Sequence, residues 1–163
     1  MKRLLFLIFC TASLTSFAQW NSSSNINTPL VTTPDADNFP FGLPDGAGGS
    51  IVLFEKKGTG NDLYAQKINA DGTIAWGSAT SPVAICNAAG DQFDIVGIAD
   101  GAGGVFVCWY DYRFDFFKAE IYCQHINSAG VPLWTANGLR VTQTSLQERF
   151  MPAMQKECLS STL

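Results

Sequence analysis

One short phrase occurs twice in this 163-residue chain: "DGAGG" stands at residues 45–49 and again at residues 100–104. Each copy is followed by a run of apolar residues, "SIVLF" in the first case and "VFVCW" in the second. Self-similarity at a fixed spacing is typical of repeat architectures, in which each repeat is one supersecondary unit. We therefore expect the chain to fold as consecutive copies of a single small unit.

The two copies remain aligned well beyond this phrase. The offset is 55 residues through the first predicted strand, where Phe54 aligns with Trp109. It becomes 58 residues after the next loop, where Trp76 aligns with Trp134, because "YDYRFDFFKAE" carries three extra residues. Turn glycines, tyrosines and tryptophans match together, which indicates a duplicated unit of about 55 residues.

Each repeat reads as antiparallel strands joined by tight turns. β-Branched and aromatic residues bounded by turn formers fill "SIVLFEK", "VFVCWYD", "DLYAQKI" and "EIYCQHI". We predict a third strand at "TIAWG" and "VPLWT", and a further strand at "DIVGIAD" that leads into the second "DGAGG". The expected fold is all-β, with a four-stranded antiparallel meander in each repeat.

The glycine-rich phrases are predicted to be structural turns. Glycine adopts positive φ angles and permits close backbone approach, so a tight reversal can form between two strands. A phosphate-binding loop is the alternative, but such loops lead into a helix, whereas a strand follows here. The predicted turn residues are Asp45, Gly46, Gly48, Gly49, Asp100, Gly101, Gly103 and Gly104.

The central strands are apolar on both faces, which indicates sheets that are covered on two sides. In "VFVCWY" residues of both parities are apolar, whereas a half-buried strand alternates apolar and polar residues. Small sheets stacked face to face around an axis form a β-propeller, and a β-sandwich is the main alternative. The chain supplies about two and a half of the roughly four to eight blades that close a propeller. Either it is a piece of a longer protein, or copies associate to complete the ring, and exposed blade faces are expected to drive self-association.

The "DG.GG" turns, the "Y.Q.I...G...W" core and the Trp-ended strand resemble those of bacterial secreted β-propeller-type repeat proteins. The similarity covers roughly residues 42–154. It implies a partial β-propeller and an exported protein, since similar proteins often leave the cell through type IX secretion. The resemblance specifies architecture and implies no particular activity.

The N-terminus, "MKRLLFLIFCTASLTSFAQW", has a basic start, an apolar stretch and small residues before a cleavage site. The apolar stretch is far shorter than the ~20 residues that span a bilayer, so we expect a signal peptide and no membrane span. Its removal leaves eight basic and 14 acidic residues, a net charge of −6. An acidic protein with no basic cluster is a poor candidate for nucleic-acid binding. The expected location is secreted or at the cell surface.

These observations divide the chain into five segments. A signal peptide precedes an N-terminal segment that holds the end of an earlier repeat, two complete repeats and the start of a truncated third. In that order the segments are residues 1–18, 19–41, 42–96, 97–151 and 152–163.

The loop "YDYRFDFF" differs most between the repeats and is the first place to look for a binding surface, because loops on a rigid scaffold commonly carry recognition. It places Tyr112, Arg113, Phe114, Asp115 and Phe116 where the first repeat has only "KKGTGN". We expect a non-enzymatic binding or scaffolding module with an unknown protein or glycan as its ligand. The alternative is a fragment of a secreted propeller-fold hydrolase that acts on glycans.

No pattern indicates a catalytic residue, a cofactor or a metal ion. The single histidine, His125, has no nucleophile or metal-ligand spacing near it. Asp111 and Asp115 in the long loop could make a glycosidase pair, but they read as turn and surface residues. No run of Asp and Asn matches a helix–loop–helix calcium loop.

For three pairs of residues the sequence leaves two interpretations open. Cys108 and Cys123 are equidistant from the centre of the long loop, so in a simple hairpin they form either a cross-strand disulfide or a pair of buried thiols. Trp76 and Trp134 recur at one place in each repeat, as do two tyrosines at positions 64 and 122. Such recurrence favours packing between repeats, and a carbohydrate-stacking surface is the alternative.

Overall fold

The computed structural model describes residue 25 and residues 27–142. Across this part of the chain there are eight strands and no helix, which confirms the prediction of an all-β fold. No helix in the described ranges is therefore long and apolar enough to cross a membrane. The predicted signal peptide and the predicted start of a third repeat lie outside the described residues.

The strands form two antiparallel sheets in which neighbours along the chain are also neighbours in the sheet. Sheet 1 contains β1 (Ala36–Pro44), β2 (Ser50–Lys57), β3 (Asn61–Ile68) and β4 (Val83–Cys86). Sheet 2 contains β5 (Gln92–Ala99), β6 (Val105–Asp111), β7 (Glu120–Ile126) and β8 (Leu139–Arg140). Both sheets are four-stranded meanders, as predicted. The repeat starts chosen at residues 42 and 97 fall inside β1 and β5, so each sheet begins upstream of its repeat.

The outermost strand of each sheet lies further along the chain than predicted. The runs "TIAWG" and "VPLWT" contain only isolated bridges, from Ile68 to Ile74 and from Ile126 to Pro132. Gly77 has a φ of 57°, a left-handed conformation that ends the extended backbone of "TIAWG". Pro132 has no N–H group to donate to a ladder, which weakens the second run. The prediction of a third strand at these runs is therefore wrong, and β4 and β8 take that place.

The two "DGAGG" phrases adopt the same backbone conformation. Gly46 and Gly101 have φ angles of 80° and 78°, and Gly48 and Gly103 both have a φ of 87°. These values lie in the left-handed region that glycine enters without steric cost. The repeated phrase thus encodes a repeated reversal, between β1 and β2 and between β5 and β6.

An aspartate side chain holds each of these turns together. Asp45 Oδ1 accepts hydrogen bonds of 2.8 Å from the backbone N–H groups of Ala47 and Gly49. Asp100 makes the same pair of bonds in the second copy, and the one from Gly104 is also 2.8 Å long. The bond from Ala47 is the main reason that the pKa of Asp45 lies below its usual value of 3.8. The ionised carboxylate therefore acts as the internal brace of the turn.

The first strand of each sheet carries the same irregularity. The register of β1 with β2 shifts between Asn38 and Phe41, and the register of β5 with β6 shifts at the equivalent place. Phe39 and Asp94, which are 55 residues apart, have φ angles of 49° and 54° at these bulges. Positive φ is uncommon for residues other than glycine. Its recurrence shows that the duplication extends to the detailed backbone path.

The sheets pack face to face through β5, which contacts β1, β2 and β3. Gly97 of β5 lies against sheet 1, where a Cβ atom would approach Leu53 Cδ1 to 2.7 Å. The absence of a side chain at this position allows the two sheets to approach closely. One core spans both sheets and comprises Leu43, Ile51, Leu53, Leu63, Ala65, Trp76, Ile85, Cys86, Ile95, Val105, Val107, Trp109, Tyr122 and Ile126.

Trp76 joins the two repeats directly. Its side chain is 1% exposed, and its Nε1 donates a 2.9 Å hydrogen bond to the backbone oxygen of Ser128 in the second repeat. A Cβ atom on Gly130 would lie 2.8 Å from Trp76 Cγ, so the indole packs against bare backbone. The described residues thus place Trp76 in packing between repeats.

Candidate functional site

The loop between β6 and β7, residues 112–119, is the longest difference between the two sheets. The equivalent connection in sheet 1 is residues 58–60, which a Gly58 N–H to Gly60 O hydrogen bond closes tightly. The longer loop projects from the end of a hairpin whose strands β6 and β7 are paired along their whole length. Its starting point is therefore rigid.

A buried ion pair anchors the base of this loop. Arg113 Nη2 lies 2.6 Å from Asp111 Oδ2, and Arg113 Nε donates a 2.8 Å hydrogen bond to Asp111 Oδ1. The side chain of Asp111 is fully buried, and Trp109 Nε1 donates to the same Oδ2 at 2.9 Å. Two-point contact between a guanidinium group and a carboxylate fixes both distance and angle. The loop therefore leaves β6 in one defined direction.

Arg113 makes two further contacts that turn it toward the interior. Its guanidinium carbon lies 3.9 Å from the centre of the Tyr122 ring, a cation–π contact. Its Nη2 also donates a 2.8 Å hydrogen bond to the backbone oxygen of Asn137. The structure thus places this predicted recognition residue in the buried base of the loop, where it positions the rest.

Tyr112 and Asp115 shape the loop between its base and its tip. The half-buried Tyr112 ring packs edge-on against Phe93, with ring centres 5.9 Å apart. Asp115 Oδ1 accepts a 2.9 Å hydrogen bond from the backbone N–H of Phe117, which is an Asx turn. Of the predicted residues, these two contribute mainly to the loop's shape.

Three phenylalanines form an apolar tip on this loop. Phe114, Phe116 and Phe117 are 73%, 72% and 75% exposed. The rings of Phe116 and Phe117 pack edge to face with centres 5.4 Å apart. Phe117 was not among the predicted site residues, although the adjacent pair "FF" in a loop is a signal that could have identified it. We call Phe114, Phe116 and Phe117 the phenylalanine tip.

The free cysteine behind the loop is not a nucleophile at neutral pH. Cys86 is buried, and its Sγ lies 3.8 Å from Asp111 Oδ2 and 3.4 Å from Arg113 Nη2. Burial raises the pKa of the Cys86 thiol to about 11. A thiol that stays protonated has little reactivity, so this cluster works as a packing element.

The other candidate groups also have structural partners. His125 Nε2 lies 2.9 Å from Asp100 Oδ2, and its ring stacks on Phe106 with centres 4.1 Å apart. That hydrogen bond is the main reason that the pKa of Asp100 is lowered. Within the described ranges no group of three or more His, Cys, Asp or Glu side chains could hold a metal ion.

Cys108 and Cys123 are joined by a disulfide bond. They lie directly opposite each other in the register of β6 with β7, below the candidate loop. The bond thus crosslinks the two strands that carry the loop, and of the two alternatives open from the sequence the structure contains the disulfide.

Reduction of this disulfide is expected to lower the free energy of unfolding by about 2–3 kcal/mol, because the bond closes a loop over a separation of 15 residues in the unfolded chain. Urea unfolding with and without a phosphine reductant measures the change. The control variant Cys108→Leu/Cys123→Ala carries the residues of the equivalent positions, Leu53 and Ala65, and should not respond to the reductant. A wild-type protein with the same midpoint in both conditions would contradict the prediction.

In comparisons with known proteins, no protein-family model, no curated protein and no solved structure matches the chain. The function must therefore be argued from the geometry of the loop and of the sheets that carry it.

Proposed function

We propose that this protein is an exported, non-enzymatic binding module of the β-propeller type that contacts a protein partner through the phenylalanine tip. The observation that carries the proposal is the exposure of three phenylalanine side chains within four residues of a loop that is anchored at its base. Exposed apolar clusters on soluble proteins commonly mark interaction sites. The predicted signal peptide and the acidic net charge support a place of action at or outside the bacterial surface.

The construction of the loop supports a binding role. The Arg113–Asp111 pair and the Cys108–Cys123 bond hold its base, so little conformational freedom is lost when the tip is covered. Each phenyl ring that becomes buried contributes about 1.5–3 kcal/mol. A partner with an apolar groove is favoured over a glycan, because the three side chains at the tip offer no hydrogen-bonding groups to sugar hydroxyls.

The propeller assignment is part of the same proposal. Two meanders of the same connectivity stack face to face, with the same turn and the same bulge at equivalent places. The sequence resemblance to secreted propeller repeats points to the same architecture. In such an assembly the loops at the ends of the hairpins lie on the rim, where partners have access.

Selection from a random displayed peptide library tests the proposal. Apolar peptides should be enriched on the wild-type protein and should bind Phe114→Ser/Phe116→Ser/Phe117→Ser at least 100-fold more weakly. The variant should keep its melting temperature, because the replaced side chains are mostly exposed. Ile98→Ser, an equally exposed position away from the loop, is the matched control and should bind the peptides normally. Peptides that bind the triple variant as well as the wild type would refute the assignment of the tip.

A further inference from the structure

The duplication gives the positions of β1, β2 and β3 equivalents in β5, β6 and β7. The face of sheet 1 that packs against sheet 2 corresponds to a face of sheet 2 that no other described strand covers. In sheet 1, Leu43, Ile51 and Leu53 face sheet 2 and are buried. At the equivalent positions in sheet 2, Ile98 is 70% exposed and Phe106 is 38% exposed. The face of sheet 2 that points away from sheet 1 is therefore an apolar surface without a neighbouring sheet among the described residues.

We call this surface the outer face of sheet 2. Cross-strand pairing places its members side by side across the sheet, with the Cys108–Cys123 disulfide at the centre. A depression of about 250 Å³ lies on this face between Val96, Tyr110 and Ile121. The exposed apolar members of the face are Val96, Ile98, Phe106, Trp134 and Leu139.

The two aligned tryptophans, Trp76 and Trp134, differ in how far neighbouring groups cover them. Trp76 of the first repeat is 1% exposed, because Gly130 and the Ser128 oxygen in the turn after β7 cover it. Its equivalent, Trp134, is 40% exposed, and the ring contacts that it makes among the described residues, with Phe106 and His125, lie within its own repeat. Within the described residues, Trp134 has no counterpart of the second-repeat turn that covers Trp76.

Sheet 1 carries a copy of that covering surface that is open around Gly42, while Phe54 and Ile68 on the same face are already buried. Gly97 of sheet 2 packs on Leu53, but at the equivalent Gly42 no atom of the described residues lies within 4 Å of where a Cβ would be. Gly103 lies against Lys67, whose Nζ donates a 2.9 Å hydrogen bond to the Gly103 oxygen. Around its equivalent, Gly48, the described residues offer only Ala70 of the same repeat as a neighbour.

We propose that a second copy of this chain docks the Gly42 side of its sheet 1 onto the outer face of sheet 2, repeating the contact that the two sheets make within one chain. Trp134 then packs on the turn that contains Ala70 of the second copy, as Trp76 packs on the Ser128 turn. His125 takes the place of Lys67 and reaches the Gly48 oxygen of the second copy. The internal interface is the template, because Leu43, Ile51 and Trp76, which are buried there, correspond to Ile98, Phe106 and Trp134 of the outer face.

The contact joins two different surfaces, so one docking event leaves a free surface at each end of the pair. Such head-to-tail association continues until a ring closes or a filament forms. If the sheets are propeller blades, a ring of about four to eight sheets would need two to four copies. The inference does not depend on the phenylalanine tip, and the two can fail independently.

Sedimentation velocity of the mature full chain over a range of concentrations measures the association. The wild type should form species larger than a monomer, and Ile98→Arg should associate at least tenfold more weakly, because a charge would be buried in an apolar contact. Gly42→Arg should have the same effect from the other side, and its side chain has open space in the monomer. Thr59→Arg, at an exposed position in the 58–60 connection and on neither docking face, is the control and should associate like the wild type.

Mixing the two arginine variants tests which face meets which. Ile98→Arg retains the intact surface of sheet 1, and Gly42→Arg retains the intact outer face of sheet 2. The mixture should therefore form a one-to-one complex that grows no further. A monomeric wild type, normal association of either variant, or a mixture without complex would overturn the proposal. If removal of residues 143–163 were needed before the wild type associates, a segment of the same chain would be the occupant, and the second-copy proposal would be wrong.

Discussion

Replacement of Asp111 by alanine is expected to lower the free energy of unfolding by about 3–5 kcal/mol, the usual cost of removing one partner of a buried ion pair. Asp111 is fully buried and is the acceptor for both Arg113 nitrogens and for Trp109 Nε1. Its loss leaves the Arg113 charge, which is 15% exposed, without a counterion, and the indole N–H without an acceptor. Urea unfolding followed by tryptophan fluorescence measures the effect.

The matched control lies four residues further on. Asp115 is exposed and accepts a hydrogen bond from the backbone N–H of Phe117 within the loop. Asp115→Ala should therefore change the free energy of unfolding by no more than about 0.5–1 kcal/mol. Asp111→Ala should also weaken binding at the phenylalanine tip, because the loop loses its anchor. A loss below about 1 kcal/mol for Asp111→Ala would show that the pair does not hold the loop.

The same carboxylate predicts a pH dependence. Burial acts to raise the pKa of Asp111, but hydrogen bonds from Arg113 and Trp109 outweigh it and hold the pKa below 3.8. A carboxylate whose pKa is lowered by folding stabilises the protein fully at pH values above its unfolded-state pKa. This stabilisation is lost as the pH falls toward the folded-state pKa. The wild type should therefore lose stability below about pH 4, and Asp111→Ala should lose less over the same interval.

The repeated turns could be predicted from the sequence because their determinants are local. Gly46 and Gly48 need positive φ, and Asp45 reaches backbone N–H groups two and four residues away. The same holds for the strands that follow, whose β-branched and aromatic residues favour an extended backbone. A duplicated phrase with such local chemistry predicts a duplicated conformation, and the second copy at Asp100 shows it.

The parts that sequence reasoning missed depend on distant partners. The contacts of Arg113 could not be predicted, because Tyr122 and Asn137 are brought to it only by the folded second repeat. The strand predicted at "VPLWT" does not form, because Pro132 cannot donate a backbone hydrogen bond to a neighbouring strand. The chain pairs with β7 further along, at β8. Local composition sets which residues can form a turn or a strand, and tertiary contacts decide which of them face inward.

Trp76 and Trp134 occupy equivalent positions in the two repeats, so the effect of tertiary contacts on stability can be measured apart from the effect of local sequence. Trp76→Ala is expected to lower the free energy of unfolding by about 3–5 kcal/mol, because it leaves a cavity between the sheets. It also removes the 2.9 Å hydrogen bond to the Ser128 oxygen. Trp134→Ala, at the equivalent position, should cost less than about 1 kcal/mol, because that side chain is 40% exposed.

Both variants should be unfolded in urea at protein concentrations low enough to keep the chain monomeric, since Trp134 belongs to the outer face of sheet 2. The two substitutions remove the same side chain from the same repeat position, so local sequence cannot account for a difference between them. A large loss at Trp76 alone would assign the energy to the contact between sheets. Equal losses would mean that each tryptophan stabilises its own sheet, and the stacking of repeats would then contribute little to the stability of the fold.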